Sequence, residues 1–238
     1  MKYKLKESLQ LFVDHLRIRK RMLLQSRRAT FKEVIELPPK KGRIYTNNLL
    51  LTDPINRIEA SVYEELIPTS NVPLFLQKDR KWAEIPYGTD GNKAIGANGC
   101  AIVTLAMVAN HYGLNYTPAD VQKWAKNDYY IYVLGTSWNI FKDFGQSHGL
   151  ECIDLGTNLE QAKEALVQQH LVITSLKEGR FTNEGHMVVL TDYRNGKFSM
   201  NDPNDDEKKL HGFQWFESEE VAESSLNFWV MYPKNRTA

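Results

Sequence analysis

Cys100 is the residue around which chemistry could be organised. It follows a loop with glycines at 96 and 99. It then opens an apolar run, Cys100-Ala101-Ile102-Val103-Thr104-Leu105-Ala106-Met107-Val108-Ala109, with Gly113 placed as a C-terminal stop. A helix that is apolar nearly all round is a buried one. A cysteine at its first turn faces unpaired N–H groups and the positive end of the macrodipole, which favour a thiolate over a thiol. The small neighbours Gly99 and Ala101 leave the sulfur approachable. Two readings stand on this stretch alone: a nucleophile, or one more small core residue, since free cysteine is commonly buried and inert.

A cysteine nucleophile needs a base, and the base needs an orienting partner. His111 lies on the Cys100 helix, roughly 16 Å along the axis at ~1.5 Å per residue, and cannot reach the sulfur. His15 falls in a basic amphipathic segment, His170 after a polar helix, His148 before a helix-ending glycine and His211 in a polar loop. His186 differs. It opens a strand pattern, Gly185-His186-Met187-Val188-Val189-Leu190-Thr191-Asp192-Tyr193. Asn195-Gly196 signals a turn, and Lys197-Phe198-Ser199-Met200-Asn201-Asp202-Pro203 returns as a second strand. The hairpin carries Asp202 back towards His186.

Register sharpens this demand. If Asn195-Gly196 is a tight two-residue turn with Arg194 facing Lys197, outward pairing sets Val189 against Asp202. His186 and Asp202 would then point to opposite faces. A His186–Asp202 pair therefore requires an irregular hairpin with a wider turn, a bulge or both. A regular hairpin would leave Asn201 as the orienting residue, because it shares the face of His186.

Taken together, these motifs resemble the C39-like cysteine peptidases of the papain superfamily. The resemblance rests on Gly-Cys-Ala leading into a buried helix, then Gly-His-Met-Val-Val-Leu, then Asn-Asp-Pro. Gln77-Lys78-Asp79-Arg80-Lys81-Trp82-Ala83 and Pro86-Tyr87-Gly88 resemble the free-standing branch of that family. The likeness covers about residues 71 to 233. It implies that Cys100 is the nucleophile, His186 the base, Asp202 the orienter of His186 and Gln77 a donor to the oxyanion. It implies hydrolysis of a peptide or other amide bond, with a peptide or protein as partner and no cofactor. A papain-fold acyltransferase or deamidase would use the same residues, and a non-catalytic binding module would keep the fold without the chemistry.

The elements that must position these residues read as α+β: a papain-like fold, a helical lobe followed by an antiparallel sheet lobe, with Cys100 at their junction. Thr117-Pro118 predicts an N-cap and first-turn proline, and Val121, Trp124 and Ala125 point inward on that helix. A further helix is capped at Thr136 or Ser137, carries Trp138, Phe141 and Phe144 on its apolar face, and ends near Gly149. Asn158 with Gln161 resembles a capping box for a helix to about Gln169. Residues 171–176 and 226–232 read as strands. Trp82 is expected near the cleft.

The chain has 238 residues, 42% of them apolar, enough for a substantial core. Residues 1–43 hold 13 Lys and Arg against 4 Asp and Glu, a net +9; the remainder holds 17 against 25, a net −8. Two domains follow: residues 1–70 as a basic helical extension and linker, and 71–238 as the peptidase-like domain. Residues 2–26 read as an amphipathic helix, Pro38-Pro39-Lys40-Lys41-Gly42 as a linker, and Ile55, Ile58, Val62 and Leu66 as a second helical stripe. Packing of the basic helix on the acidic domain is favoured over contact with a membrane surface. Nucleic acid is not expected: there is charge but no aromatic interleaving and no recognisable module. No secretory signal or transmembrane run is read, so the chain is expected in the cytoplasm if Met1 is the native start.

Two cysteines rule out a disulfide framework, and Cys152 reads as structural. The acidic run Asp202, Asn204, Asp205, Asp206, Glu207 lacks the glycine and glutamate spacing of a calcium loop and reads as a solvated turn. Metal ligands are not expected, because no paired-ligand spacing is present.

Overall fold

The computed structural model describes residues 69–234 apart from 90–92, 133–134 and 207. The basic helix at 2–26, the linker at 38–42 and the helical stripe at 55–66 lie outside the described residues. Among the described residues no helix is long and apolar enough to cross a membrane.

A short helix α1 (Ile95–Asn98) runs through Gly99 into α2 (Cys100–His111). Every residue from Ala101 to Ala109 is buried, as the all-round apolar sequence demands. Gly99 is required at the junction. A Cβ there would lie 2.6 Å from both the Ile95 carbonyl oxygen and its Cγ2. Helix α3 (Pro118–Ala125) starts on a complete capping box between Thr117 and Asp120. A two-strand ribbon, β1 (Tyr130–Ile131) and β2 (Gly135–Thr136), precedes α4 (Asn139–His148). The helical part is followed by β3 (Leu150–Gly156), α5 (Leu159–Val167), β4 (Leu171–Leu176), β5 (His186–Arg194) and β6 (Lys197–Asn201). A 3-10 turn (His211–Phe213), β7 (Trp215–Glu217), α6 (Ser218–Ser224) and β8 (Ser225–Pro233) complete the described chain.

Six strands make one antiparallel sheet in the order β3-β8-β4-β5-β6-β7. Alternation gives it two apolar faces. Ile173, Met187, Val189, Trp229 and Met231 pack with α2, α3 and α4 in one cluster. Val172, Val188, Leu190, Phe228 and Val230 pack with Ala162, Ala165 and Leu166 of α5 in another. The fold is thus the expected combination of leading helices and a trailing antiparallel sheet, but α5 covers the second face. Not read from the sequence were α1, which looked like a glycine loop, the β1–β2 ribbon, β3, β7 and α6. Strand β3, whose residues are mostly half-buried or exposed, lies in what looked like a helix-ending turn. The β1–β2 ribbon and β7 are only two or three residues long, and α6 is polar, Ser-Glu-Glu-Val-Ala-Glu-Ser.

The β5–β6 hairpin combines a regular turn with an irregular ladder. Arg194 faces Lys197, and Asn195 and Gly196 take φ of 53° and 80°, as a tight two-residue turn needs. The register then shifts between Leu190 and Asp192, so Leu190 meets Met200 and Val189 meets Asn201. Thr191 is the extra residue, and its hydroxyl lies 2.7 Å from that of Ser199. Continued by one step, this register sets Asp202 against Val188, on the face that His186 shares. The bulge alone supplies the irregularity that the pair requires; the turn is not widened.

Gly99→Ala should lower stability by about 1–3 kcal/mol, because the new methyl must displace the backbone of α1. Urea unfolding of the full chain checks this; an unchanged midpoint would mean that the junction relaxes freely.

Candidate active site

Cys100 is the first residue of α2, half-buried, and a free thiol. Thr104, one turn on, donates to the Cys100 carbonyl at 2.7 Å and lies 3.5 Å from the Met187 carbonyl. That side chain ties the first turn of α2 to the start of β5. A cleft of about 410 Å³ opens there, lined by Cys100, Asn98, Gly185, His186, Met187 and Trp138 among others.

The His186 ring is buried and its Nε2 lies 2.6 Å from Asp202 Oδ1. Cys100 lines the same cleft and adds to the electrostatics of this ring. With Nε2 engaged by Asp202, Nδ1 is the nitrogen left for the sulfur. Burial opposes charge on this ring. The Asp202 carboxylate overcomes it, with a smaller contribution from Cys100, and raises the His186 pKa to about 10.

Asp202 is fully buried and accepts from four donors. Oδ1 takes His186 Nε2 and the Asn204 N–H, the latter at 2.7 Å. Oδ2 takes His211 Nδ1 at 2.9 Å and Lys209 Nζ at 3.2 Å. Burial pushes this carboxyl up; the His186 and His211 contacts reverse the push and hold it well below the usual carboxylate range. Asn201 faces the other way, its amide donating to the carbonyls of Val72 and Pro73 at 2.9 and 3.3 Å.

Gln77 bridges the loops on either side. Its N–H donates to the Pro203 carbonyl at 2.6 Å, and its Nε2 donates to the Gly96 carbonyl at 3.0 Å, four residues before Cys100. Gln77 itself is buried and is not a cleft-lining residue. Trp82 is not near the cleft as expected. Its indole is buried, donates to the Leu76 carbonyl at 2.7 Å and meets Phe75 edge-on.

The acidic run is not a solvated turn. Asp202 and Asp205 are buried. Asp205 accepts the N–H groups of His211 and Gly212, each at 2.9 Å, and so fixes the 3-10 turn. Burial raises its pKa to about 6, with His211 and the two backbone donors resisting and the Asp202 charge adding to the rise. Among the described residues no group of His, Cys, Asp and Glu side chains is arranged to hold a metal. Cys152 sits on β3, where burial, Asp154 and Glu151 push its thiol up to about 12.

His211 is the residue that sequence reasoning missed. Its ring is buried edge-on against Phe181 and Phe216, at 5.7 and 5.4 Å between centroids. The usable signal was the apolar pair around it, Leu210 and Phe213, both buried.

The Peptidase_C39 like family model matches residues 69–230. The chain belongs to this family. The C39-like chain is similar to the peptidase domain of Streptococcus ComA, a bi-functional ABC transporter of a quorum-sensing pathway. The identity is 19% over 58% of this chain and 93% of that one, with a TM-score of 0.44. A putative C39-like peptidase from Bacillus anthracis is 14% identical over 71% of this chain and 98% of its own, TM-score 0.42. A double glycine motif protease from an AMS/PCAT transporter, solved with its leader peptide, is 20% identical over 65% and 96%, TM-score 0.43. No curated protein matches the C39-like chain.

His211→Leu should destabilise the C39-like domain by about 1–3 kcal/mol, because Asp202 Oδ2 loses a buried donor. His211→Asn, which can place an N–H at nearly the same point, should recover part of that loss. Equal losses in denaturant unfolding would mean that packing of the ring, not its N–H, is what counts.

Proposed function

We propose that this protein is a cysteine peptidase that hydrolyses a peptide or other amide bond, with Cys100 as nucleophile, His186 as acid and base, and Asp202 as the orienter of His186. The observation that carries the reading is the His186 ring, bonded through Nε2 to Asp202 and lining the same cleft as Cys100.

The Cys100 thiolate attacks the scissile carbonyl and forms a tetrahedral adduct. The negative oxygen takes a hydrogen bond from the Cys100 N–H, which as the first of a helix has no intrahelical partner, while Gln77 holds the Gly96 carbonyl and with it the loop that leads to Cys100. One such donor is worth about 3 kcal/mol in the transition state. The His186 imidazolium gives its Nδ1 proton to the departing amine, and the C–N bond breaks to leave a thioester. Water then enters, loses a proton to Nδ1, and attacks the thioester. Collapse expels the Cys100 sulfur and releases the acid. Asp202 keeps the second ring proton on Nε2 throughout, so that Nδ1 always faces the reacting atoms.

Digestion of a peptide library by the full chain, with sequencing of the products, tests the reading. Cys100→Ala should lower turnover by about four orders of magnitude or more. The raised His186 pKa keeps the ring charged through neutrality; the charge is lost as pH rises through about 10. The alkaline limb of kcat/KM should therefore lie near pH 10, and Asp202→Asn should move it towards neutrality. Cleavage that survives Cys100→Ala contradicts the assignment. Products carrying an added amine in place of hydroxyl would make the enzyme an acyltransferase.

A further inference from the structure

We propose that the cleft contains a preformed seat for one bulky apolar side chain of the substrate, built by Trp138, Leu226 and Met187 beside Cys100. This rests on the peptidase reading of Cys100 and His186 and names the substrate class: peptides with a large aliphatic or aromatic residue in the acyl half, near the cut.

Trp138 was expected on the buried face of α4. Phe141 and Phe144 are fully buried there, but Trp138 is 43% exposed and lines the cleft. It is not loose: its ring meets that of Trp229 edge-on, centroids 5.0 Å apart. Leu226 is 45% exposed. The β4–β8 ladder pairs Ser175 with Asn227 but Leu176 with Ser225, so Leu226 is the extra residue of a bulge. Bulges re-aim side chains, and this one leaves Leu226 in the cleft wall. The Ser175–Met187 cross-strand pair, whose side chains share a face, also lines the cleft. The β1–β2 ribbon adds Tyr130, Gly135 and Thr136 to the lining; there the Tyr87 hydroxyl lies 2.9 Å from Thr136 Oγ1 and the Tyr87 ring meets Tyr130 edge-on. Ile131 and Tyr132 of the same ribbon are also exposed.

Large exposed apolar groups cost solvation, and their gathering at one cleft marks a binding surface. This one is continuous with the nucleophile, which makes the substrate the occupant. It lies on the β4 and β8 side of His186, away from Asp202 just past the end of β6. The charged rim residues Lys93 and Glu184 have opposite signs and select neither charge. A volume of 410 Å³ falls in the range of about 300–1,000 Å³ that encloses small ligands, far more room than a glycine needs. The acyl half is the half that gains from a seat, because it stays bound through the thioester while the amine departs.

The test uses dipeptidyl acyloxymethyl ketones Z-Xaa-Gly, with Xaa as Phe, Leu, Gly or Asp, on the full chain. The Cys100 sulfur bonds to the ketone methylene and expels the carboxylate, so labelling needs no amide hydrolysis. Mass spectrometry gives the rate at Cys100. The Phe and Leu probes should react about tenfold faster than Gly and Asp, as burial of one such side chain implies. Trp138→Ala and Leu226→Asp should each erase most of that difference, with iodoacetamide reporting a reactive sulfur in both. Equal rates for all four probes, a preference that survives both substitutions, or no probe reaction where iodoacetamide reacts would overturn the seat. Z-Phe-Gly-aminomethylcoumarin separates the two claims. Apolar preference without release of the coumarin sinks the peptidase reading and leaves the seat; release without preference does the reverse.

Discussion

A buried carboxylate is the constraint on which the rest of this site depends. An ionised group taken out of water costs several kcal/mol unless its oxygens are satisfied. Asp202 is satisfied four times over, by two imidazoles, one ammonium and one backbone N–H. The donors come from three pieces of local architecture. His186 comes from the start of β5, Asn204 from the turn after Asp202, and Lys209 and His211 from the loop that Asp205 braces. The loop after β6 is thus a clamp around one charge, and the charge in turn fixes a single ring nitrogen of His186. Lys209 also donates to the Asn204 carbonyl at 2.7 Å, which closes the clamp on itself.

The sheet supplies geometry through its irregularities. A regular β5–β6 ladder would aim Asp202 away from His186, and the Thr191 bulge corrects that by one residue. A second bulge, at Leu226, turns an apolar side chain into the cleft. The regular parts have the other role. They bury two apolar faces against α2 and α5, and so hold the bulges rigidly enough for ångström-scale placement.

Much of this was legible in the sequence because its signals are local. The apolar run after Cys100, the Thr117-Pro118 cap, the strand opening at His186 and the Asn195-Gly196 turn each report a nearest-neighbour preference, and each appears where the residues say. Register reasoning went further: it required an irregularity between His186 and Asp202, though not which residue carried it. What failed was long-range. His211 and Asp205 look polar in sequence and are buried only because Phe181 and Phe216 come from distant positions to cover the histidine. Trp138 has the spacing of a core residue but is left at the cleft. Trp82 follows Gln77 closely in sequence, yet its indole turns back onto Leu76. Strand β3 pairs with β8, some eighty residues later, and no local pattern announces such a partner.

The claim that Asp202 holds the His186 Nε2 proton has a direct spectroscopic test. In the full chain with ¹⁵N-labelled histidine, at neutral pH, a proton–nitrogen correlation spectrum should show two strongly downfield, slowly exchanging imidazole protons. One belongs to His186 Nε2 and the other to His211 Nδ1, and both should vanish or move far upfield in Asp202→Asn. A His186 ring that carries its protected proton on Nδ1, or shows no protected proton at all, would contradict the account.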